Sequence, residues 1–300
     1  AWLSARAQGG KIIMRVEDLD SPRVKPGVTE KMLDDLEWLG FDWDEGPRAG
    51  RPAESDKHYI QTQRRDYYLQ IFEQLRQKDL LYPCVCTRGD IAAAQSAPHE
   101  DEHELRYPGL CRGRFASAAE ALERSGRAPV WRLKVAPGEI CFDDLLFGRQ
   151  CADVFKQVGD FIIAKAPDNP AYQLAVGADD IAMGVTEVVR GDDLVPSTAR
   201  QILLYQLLGH APPRHGHVPL VIGPDGKRLA KRHGESKVAV FRQKGIPARH
   251  LIGVLARWSG LDCPGDASPC ELVPLWSWQK VSRERIVITP ERLREIELAK

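Results

Sequence analysis

Three hundred residues, 43% hydrophobic and 28% charged, are enough to bury a substantial core and are ordinary proportions for a globular enzyme. The 42 basic and 42 acidic residues cancel, which excludes a uniformly basic nucleic-acid coat but leaves room for a local basic face. No apolar run reaches the roughly 20 residues that span a bilayer and no signal-peptide pattern opens the chain, so the cytoplasm is the default expectation.

Ala1–Gln8 reads as a helix already in progress, closed by Gly9-Gly10, so the expectation is of a chain whose natural start is missing. Lys11–Glu17 (KIIMRVE) is a short β-prone run. The loop DLDSPRVKPG follows it, then a helix from about Thr29 to Leu39, then the turn-rich connector GFDWDEGP. Over residues 56–80, Ile60, Tyr68, Ile71, Phe72 and Leu75 fall at helical spacing among charges, which predicts one long amphipathic helix. Leu81–Thr87 (LYPCVCT) reads as a strand. Residues 88–127 are polar and irregular, with short helices at Gly89–Gln95 and Ser117–Ser125, and Val130–Phe147 reads as strands turning at Pro137-Gly138.

From Gly159 the texture changes. Phe161–Ala164, Gln173–Ala178 and Val185–Arg190 are apolar, β-prone runs separated by loops. Thr198–Leu208 is a helix behind a Pro-Ser-Thr cap, and Val218–Ile222 is a strand feeding the loop GPDGKRLAKRHG. Strands alternating with helices predict an α/β fold with a doubly wound, mostly parallel sheet, which the stretch near 82–150 interrupts as an insertion would. Residues 237–300 read as helices and a polar tail.

Four segments carry chemistry. Arg190-Gly191-Asp192-Asp193 follows a strand and so sits at the sheet edge where open α/β folds bind ligands; an Arg fork there grips a carboxylate or simply ties down a loop. In Arg15-Val16-Glu17-Asp18, alternation places Arg15 and Glu17 on one face, and a strand-end carboxylate suits an ammonium group. Residues 223–234 bracket four basic side chains (Lys227, Arg228, Lys231, Arg232) with glycine turns, as a polyphosphate clamp or a solvated hairpin would. The seven cysteines are odd in number: Cys84, Cys86 and Cys111 cluster, while Cys141, Cys151, Cys263 and Cys270 are scattered. That pattern favours reduced thiols and a metal site over a disulfide framework. Three thiolates plus one further ligand suit tetrahedral zinc, with Tyr107, His99 and His103 as candidates for the fourth position. Three buried small hydrophobes are the alternative.

Together RVEDLDSPR, SDKHYIQTQRRDYY, YPCVCT, YPGLCRG, GDFII, AYQLAV-x-ADD, MGVTEVVRGDDL, STARQILLYQLLG and HVPLVIGPDGKRLAKRHG resemble, in order and over nearly the whole chain, the glutamate group of class I aminoacyl-tRNA synthetases. That group comprises glutamyl-tRNA synthetase catalytic domains and a shortened paralogue that glutamylates the queuosine base of tRNA(Asp). The shortened form is the nearer likeness: 66 residues follow Gly234, and the site loop reads RGDDL, with Leu194 where full-length enzymes often carry His.

The resemblance implies a Rossmann-type catalytic domain in two halves (1–81 and 151–236), a zinc-binding insertion (82–150) and a helical C-terminal segment (237–300). It implies Glu17, Tyr172 and Arg190 around glutamate, with Glu17 on the α-ammonium and Arg190 on a carboxylate. Lys231, Arg228 and His217 then contact ATP, and Lys231 and Arg232 stabilise charge during adenylate formation. Cys84, Cys86, Tyr107 and Cys111 become the zinc ligands, with Tyr the unusual one, and the other four cysteines are not ligands. The implied partners are glutamate, ATP with Mg²⁺ and queuosine-bearing tRNA(Asp), for a protein acting as a monomer. The rivals are a truncated synthetase charging tRNA(Glu) and a non-catalytic, zinc-stabilised tRNA- or partner-binding module. Three departures stand: the KMSKS-type loop reads RLAKR, with Ala230 for the usual Ser and Arg228 for the first Lys, the tail Leu261–Trp278 matches no part of the family, and the HIGH-type signature would lie before Ala1. The last implies that the chain as written forms no adenylate.

Overall fold

The computed structural model describes residues 1–19, 27–51, 53–94, 106–229 and 238–298. Among them the strands in chain order are β1 (Leu81–Cys84), β2 (Val130–Leu133), β3 (Glu139–Asp144), β4 (Gly148–Asp153), β5 (Ile162–Ala166), β6 (Asn169–Pro170), β7 (Glu187–Gly191), β8 (Arg214–Val218), β9 (Val221–Ile222) and β10 (Ile286–Val287). The fold is α/β. In the sheet β4-β3-β8-β7, the three strands β3, β8 and β7 run parallel and β4 is an antiparallel edge. A second sheet, β1-β2-β5-β6, is antiparallel, and β9 pairs with β10 in parallel.

The main core lies where the helices Arg65–Gln77, Tyr172–Ala182 and Val195–Leu208 meet these strands. Phe72, Leu75, Leu133, Ile163, Leu174 and Leu204 are fully buried there. A second core gathers around the helix Ala248–Trp258, whose Leu251, Ile252 and Val254 pack with Phe241, Leu261, Leu272 and Ile296. From that C-terminal part the Trp278 ring lies flat enough on β8 that any side chain at Gly216 would strike it. No helix among the described residues is long and apolar enough to cross a membrane.

Four elements differ from the sequence reading, each for a physical reason. The Lys11–Glu17 run is extended but pairs only through bridges, Ile13 to Glu45 and Val16 to Ile60. Those bridges also break the long helix expected over 56–80. The Val16 N–H donates to Tyr59 O and its carbonyl accepts from Gln61 N–H, which forces Ile60 to be extended (φ −114°, ψ 114°). The segment therefore splits into 3₁₀ turns at Glu54–Tyr59 and Gln61–Gln63 and the helix Arg65–Gln77. Gln173–Ala178, read as a strand, lies in the helix Tyr172–Ala182. Every residue from Leu174 to Asp180 is buried, and a helix apolar all round loses the 3.6-residue signal that would mark it. Pro219, which has no N–H to donate, separates β8 from β9.

The cysteine expectation needs one correction. Cys141 and Cys151 are directly opposed across the β3–β4 hairpin and form a disulfide, with Cα atoms 4.1 Å apart. Strand register, which spacing does not reveal, brought them together. Cys84, Cys86, Cys111, Cys263 and Cys270 are free thiols.

Gly159 shows how closely Tyr107 is fitted against the chain that leads into β5. Tyr107 N–H donates to Val158 O, and Tyr107 bridges to Gly159, which holds a φ of +73°. A methyl group at 159 would collide with the Tyr107 carbonyl, whereas at Gly126 (φ +68°) it would meet nothing. Gly126→Ala should therefore cost only left-handed strain, about 1 kcal/mol, and Gly159→Ala about 2–4 kcal/mol. Urea unfolding of the two variants checks this, and equal losses would show that the collision is relieved without cost.

Candidate active site

Parallel strands β7 and β8 place Arg190 beside His217, and β3 brings Asp144 to β8 from the other side. Asp144 and His217 have no exposed side-chain surface, and His217 Nδ1 is 2.6 Å from Asp144 Oδ2. The Arg190 Nε–H donates to His217 Nε2 at 3.1 Å. Nε2 is thus an acceptor, so the ring proton sits on Nδ1 and is donated to Asp144. Burial pushes the Asp144 carboxyl up. Hydrogen bonds from His217 and the N–H groups of Phe147, Leu146 and His217 outweigh it and hold the group below the ordinary carboxylate range.

The rest of the Arg190 fork is held by protein oxygens. Its terminal nitrogens donate to Gln201 Oε1 (2.7 Å), Thr198 Oγ1 (2.8 Å) and Leu194 O (3.3 Å). Among the described residues none of its partners is a carboxylate, and burial draws its pKa below the usual arginine value. A guanidinium aimed by neutral groups alone keeps its charge available for a ligand anion.

Glu17 offers the opposite charge. Both bonds from Arg15 go to Glu17 Oε1, at 3.0 and 3.3 Å, and Oε2 accepts none among the described residues. Arg15 is fixed from behind by Asp180 (2.6 Å) and Asp179 (3.8 Å). Asp179, wholly buried, also takes hydrogen bonds from Gln61, Arg64 and Tyr68. Tyr172 stands between the two charges. Burial, then the Glu17 carboxylate, raise its phenol pKa, and the Arg190 guanidinium opposes them. The side chains of Glu17, Tyr172 and Arg190 are therefore brought together, with Tyr172 itself exposed.

The other sequence-derived residues fall elsewhere. His217, expected to meet ATP, is sealed, with both ring nitrogens committed to protein partners. Arg228 is exposed on the turn after β9 and pairs with Asp193 at 2.7 Å, while Asp192 accepts from Arg285. Lys231 and Arg232 lie outside the described residues, as do His99 and His103. Sequence reasoning missed Arg15 as the clamp on Glu17, the Asp179-Asp180 pair, and Asp144, Thr198 and Gln201 around Arg190. The paired Asp in an otherwise apolar run was a signal that could have found the first group. Asp144 carried none.

The cysteine cluster converges as expected. The sulfurs of Cys84, Cys86 and Cys111 lie within 4.8 Å of one another, and the Tyr107 hydroxyl is 3.3 Å from Cys84 Sγ and 3.6 Å from Cys86 Sγ. Four soft or anionic donors about 3.8 Å apart are what ~2.3 Å bonds to a tetrahedral ion require. Arg132 supplies countercharge: its Nε donates to Cys84 Sγ at 3.2 Å and its guanidinium carbon stands 3.6 Å from the Tyr107 ring centre. Burial would raise the Cys84 thiol, but hydrogen bonds from Tyr107, the Cys86 backbone and Arg132 bring it down; burial lifts Cys86 to about 12. The donor set fits a structural metal.

Comparison with known proteins places this geometry. Residues 1–271 match the family model of the catalytic domain of class I tRNA synthetases for glutamate and glutamine (E and Q). A protein of Symbiobacterium thermophilum named glutamyl-Q tRNA(Asp) synthetase is 43% identical over 98% of this chain and 90% of its own length. A protein of the same name from Nitratidesulfovibrio vulgaris is 44% identical over 87% of this chain and 80% of its own. The crystal structure of a glutamate tRNA ligase from Elizabethkingia meningosepticum, in complex with its amino acid, superposes with a TM-score of 0.79 at 26% identity. This chain is covered to 98% and spans 64% of that one.

His215, stacked on His217, gives the site a pH dependence. Burial first, then Arg190 and His217, hold its pKa down to about 4 from 6.5. Between those values the unfolded chain takes up a proton that the folded chain refuses. The contribution to stability is therefore complete above pH 6.5 and falls as pH drops towards 4, by about 1.4 kcal/mol per unit. From pH 7 to 5 the wild type should lose about 2 kcal/mol more than His215→Gln in urea unfolding. Parallel pH profiles would show that His215 does not stay neutral.

Proposed function

We propose, on the premise that the chain belongs to the class I tRNA synthetase family for glutamate and glutamine, that this ligase activates glutamate with ATP and transfers the glutamyl group to the queuosine base of tRNA(Asp). The observation that carries the amino-acid half is the pair of opposite charges around Tyr172, one oxygen of Glu17 without a hydrogen bond among the described residues and Arg190 without a carboxylate among its described hydrogen-bond partners. Glu17 Oε2 is open to an α-ammonium, and Arg190 has no carboxylate among its described partners. An amino acid with a carboxylate side chain satisfies both at once. The names and 43–44% identities of the bacterial relatives support the queuosine acceptor. The structural likeness to a glutamate tRNA ligase favours a second reading, charging of tRNA(Glu).

In the first step a glutamate α-carboxylate oxygen attacks the ATP α-phosphorus, forming the mixed anhydride and expelling pyrophosphate. Catalysis here is positioning and charge stabilisation. Lys231 and Arg232 are the proposed cations on the phosphates, with Mg²⁺ arriving on ATP and Arg228 at the edge. His217 is proposed as a positioning residue: held by Asp144, it fixes the Arg190 fork and does not touch ATP. Zn²⁺ is the proposed occupant of Cys84, Cys86, Tyr107 and Cys111, pinning the insertion over residues 82–150 against the catalytic halves. The protein is proposed to act as a cytoplasmic monomer.

In a version that carries the HIGH-type signature, Arg190→Ala and Glu17→Ala should each lower kcat/KM for glutamate in ATP–pyrophosphate exchange by roughly 30- to 1,000-fold, or about 2–4 kcal/mol. His217→Gln should raise KM for glutamate with KM for ATP held, whereas a direct nucleotide contact would move the ATP value. Glutamate transfer to queuosine-bearing tRNA(Asp) but not to tRNA(Glu) tests the acceptor, and the reverse preference establishes the second reading.

Metal analysis should find about one Zn²⁺ per chain, lost in Cys86→Ser. Chelation should lower the melting temperature of the wild type and leave that of the variant unmoved. Zinc-free protein of full stability would refute the site.

A further inference from the structure

Gln201 holds the Arg190 fork at a cost to its own packing. It stands one turn after Thr198 on the helix Val195–Leu208, with 2% of its surface exposed. A guanidinium has only donors, so the Gln201 amide must turn its oxygen towards it, and Oε1 accepts from Arg190 Nη1 at 2.7 Å. That orientation leaves the buried Nε2 without a hydrogen-bond partner among the described residues. A buried donor with its hydrogen bond unmade weakens the fold at this position.

A glutamate at 201 would remove that weakness. It has nearly the same shape, carries no N–H to strand, and would give Arg190 a charge-assisted bond in place of a neutral one. It would also supply a counterion to a cation that burial disfavours. Asp180 does not fill that place. It acts on Arg190 through space, while it pairs with Arg15 at 2.6 Å and accepts from Tyr205 OH at 3.2 Å. For stability alone the acid is therefore the better residue, yet the chain carries the amide.

What the amide withholds is one negative charge, 2.7 Å from the guanidinium. A carboxylate there would cancel much of the field that a ligand carboxylate meets. The matched family covers enzymes for glutamate and for glutamine, which differ only in that terminal group. Glutamate gains from an unpaired cation and a neutral amide gains little. Pairing Arg190 inside the protein would erase most of that difference.

We propose that Gln201 is a specificity-determining residue. By staying neutral, with one N–H stranded, it keeps Arg190 free of a protein carboxylate, so the site prefers an amino acid with a carboxylate side chain to its amide. This rests on the ligase reading above and adds the residue that sets the choice.

The test compares wild type, Gln201→Glu and Gln201→Met in a version that carries the HIGH-type signature. ATP–pyrophosphate exchange is measured with L-glutamate and with L-glutamine, and melting temperature is measured on the same proteins. Gln201→Glu should lower kcat/KM for glutamate by about tenfold or more, change that for glutamine by less than about threefold, and leave KM for ATP unmoved. It should also melt roughly 2 °C or more above wild type, because it gives a buried cation its counterion. Gln201→Met removes the hydrogen bond without adding charge. Its preference for glutamate over glutamine should stay within about threefold of wild type even where both rates fall. A preference kept within threefold in Gln201→Glu, or lost equally in Gln201→Met, overturns the role of Gln201. An unchanged or lower melting temperature in Gln201→Glu overturns the exchange of stability for selectivity. A wild type that does not favour glutamate overturns the glutamate reading and this proposal with it. A glutamate-preferring wild type with an unmoved Gln201→Glu overturns this proposal alone.

Discussion

The active site depends on where one proton is held. His217 has to present a bare Nε2 to Arg190, and it does so only because Asp144 takes the proton on Nδ1. Had the tautomer been reversed, an N–H would face the Arg190 N–H and the fork would turn away. The carboxylate and the imidazole are both fully buried, a placement that costs several kcal/mol for an unpaired ion. Three backbone N–H groups repay that for Asp144, and they come from the end of the β3–β4 hairpin and from β8 itself. The parallel register of β3, β8 and β7 is therefore a chemical requirement as well as a packing solution.

A second buried network prepares the opposite charge by different means. Asp179 and Asp180 are adjacent on one helix and would repel if nothing intervened. Arg15 and Arg64 separate them, and Tyr68, Tyr205 and Gln61 satisfy the remaining oxygens. Burial still lifts the Asp180 carboxyl, while its neighbour Arg15 is held firmly charged. The outcome at the surface is simple. Arg15 spends only part of its fork on Glu17, on one oxygen, and the other accepts no hydrogen bond among the described residues. Neutral groups aim the cation on one side of the site and a charged network aims the anion on the other.

How much of this was legible in the sequence depended on whether a residue acts at its own position in the chain or through register. Glu17, Tyr172, Arg190 and the four cluster donors stand in short, recognisable strings, and the fold brings the first three together and the four into one cluster. Asp144, Thr198 and Gln201 act across 73, 8 and 11 residues through strand pairing and helix facing, and nothing local marks them. The Cys141–Cys151 disulfide was hidden for the same reason. The helix Tyr172–Ala182 was misread because complete burial erases amphipathic periodicity, and Gln61 lay inside a helix that Val16 in fact interrupts.

The cysteine cluster and the cavity beside Tyr172 are not independent, because Arg132 and Tyr107 belong to both. Arg132 donates to Cys84 Sγ and to Asp160 O, covers the Tyr107 ring, and lines the cavity beside Tyr172. Three thiolates and a phenolate around a divalent ion leave a net negative charge, and Arg132 is the cation close enough to offset it. The backbone adds a second link, since Gly159 admits Tyr107 only by having no side chain, and Asp160 next to it fixes Val135 and Tyr82.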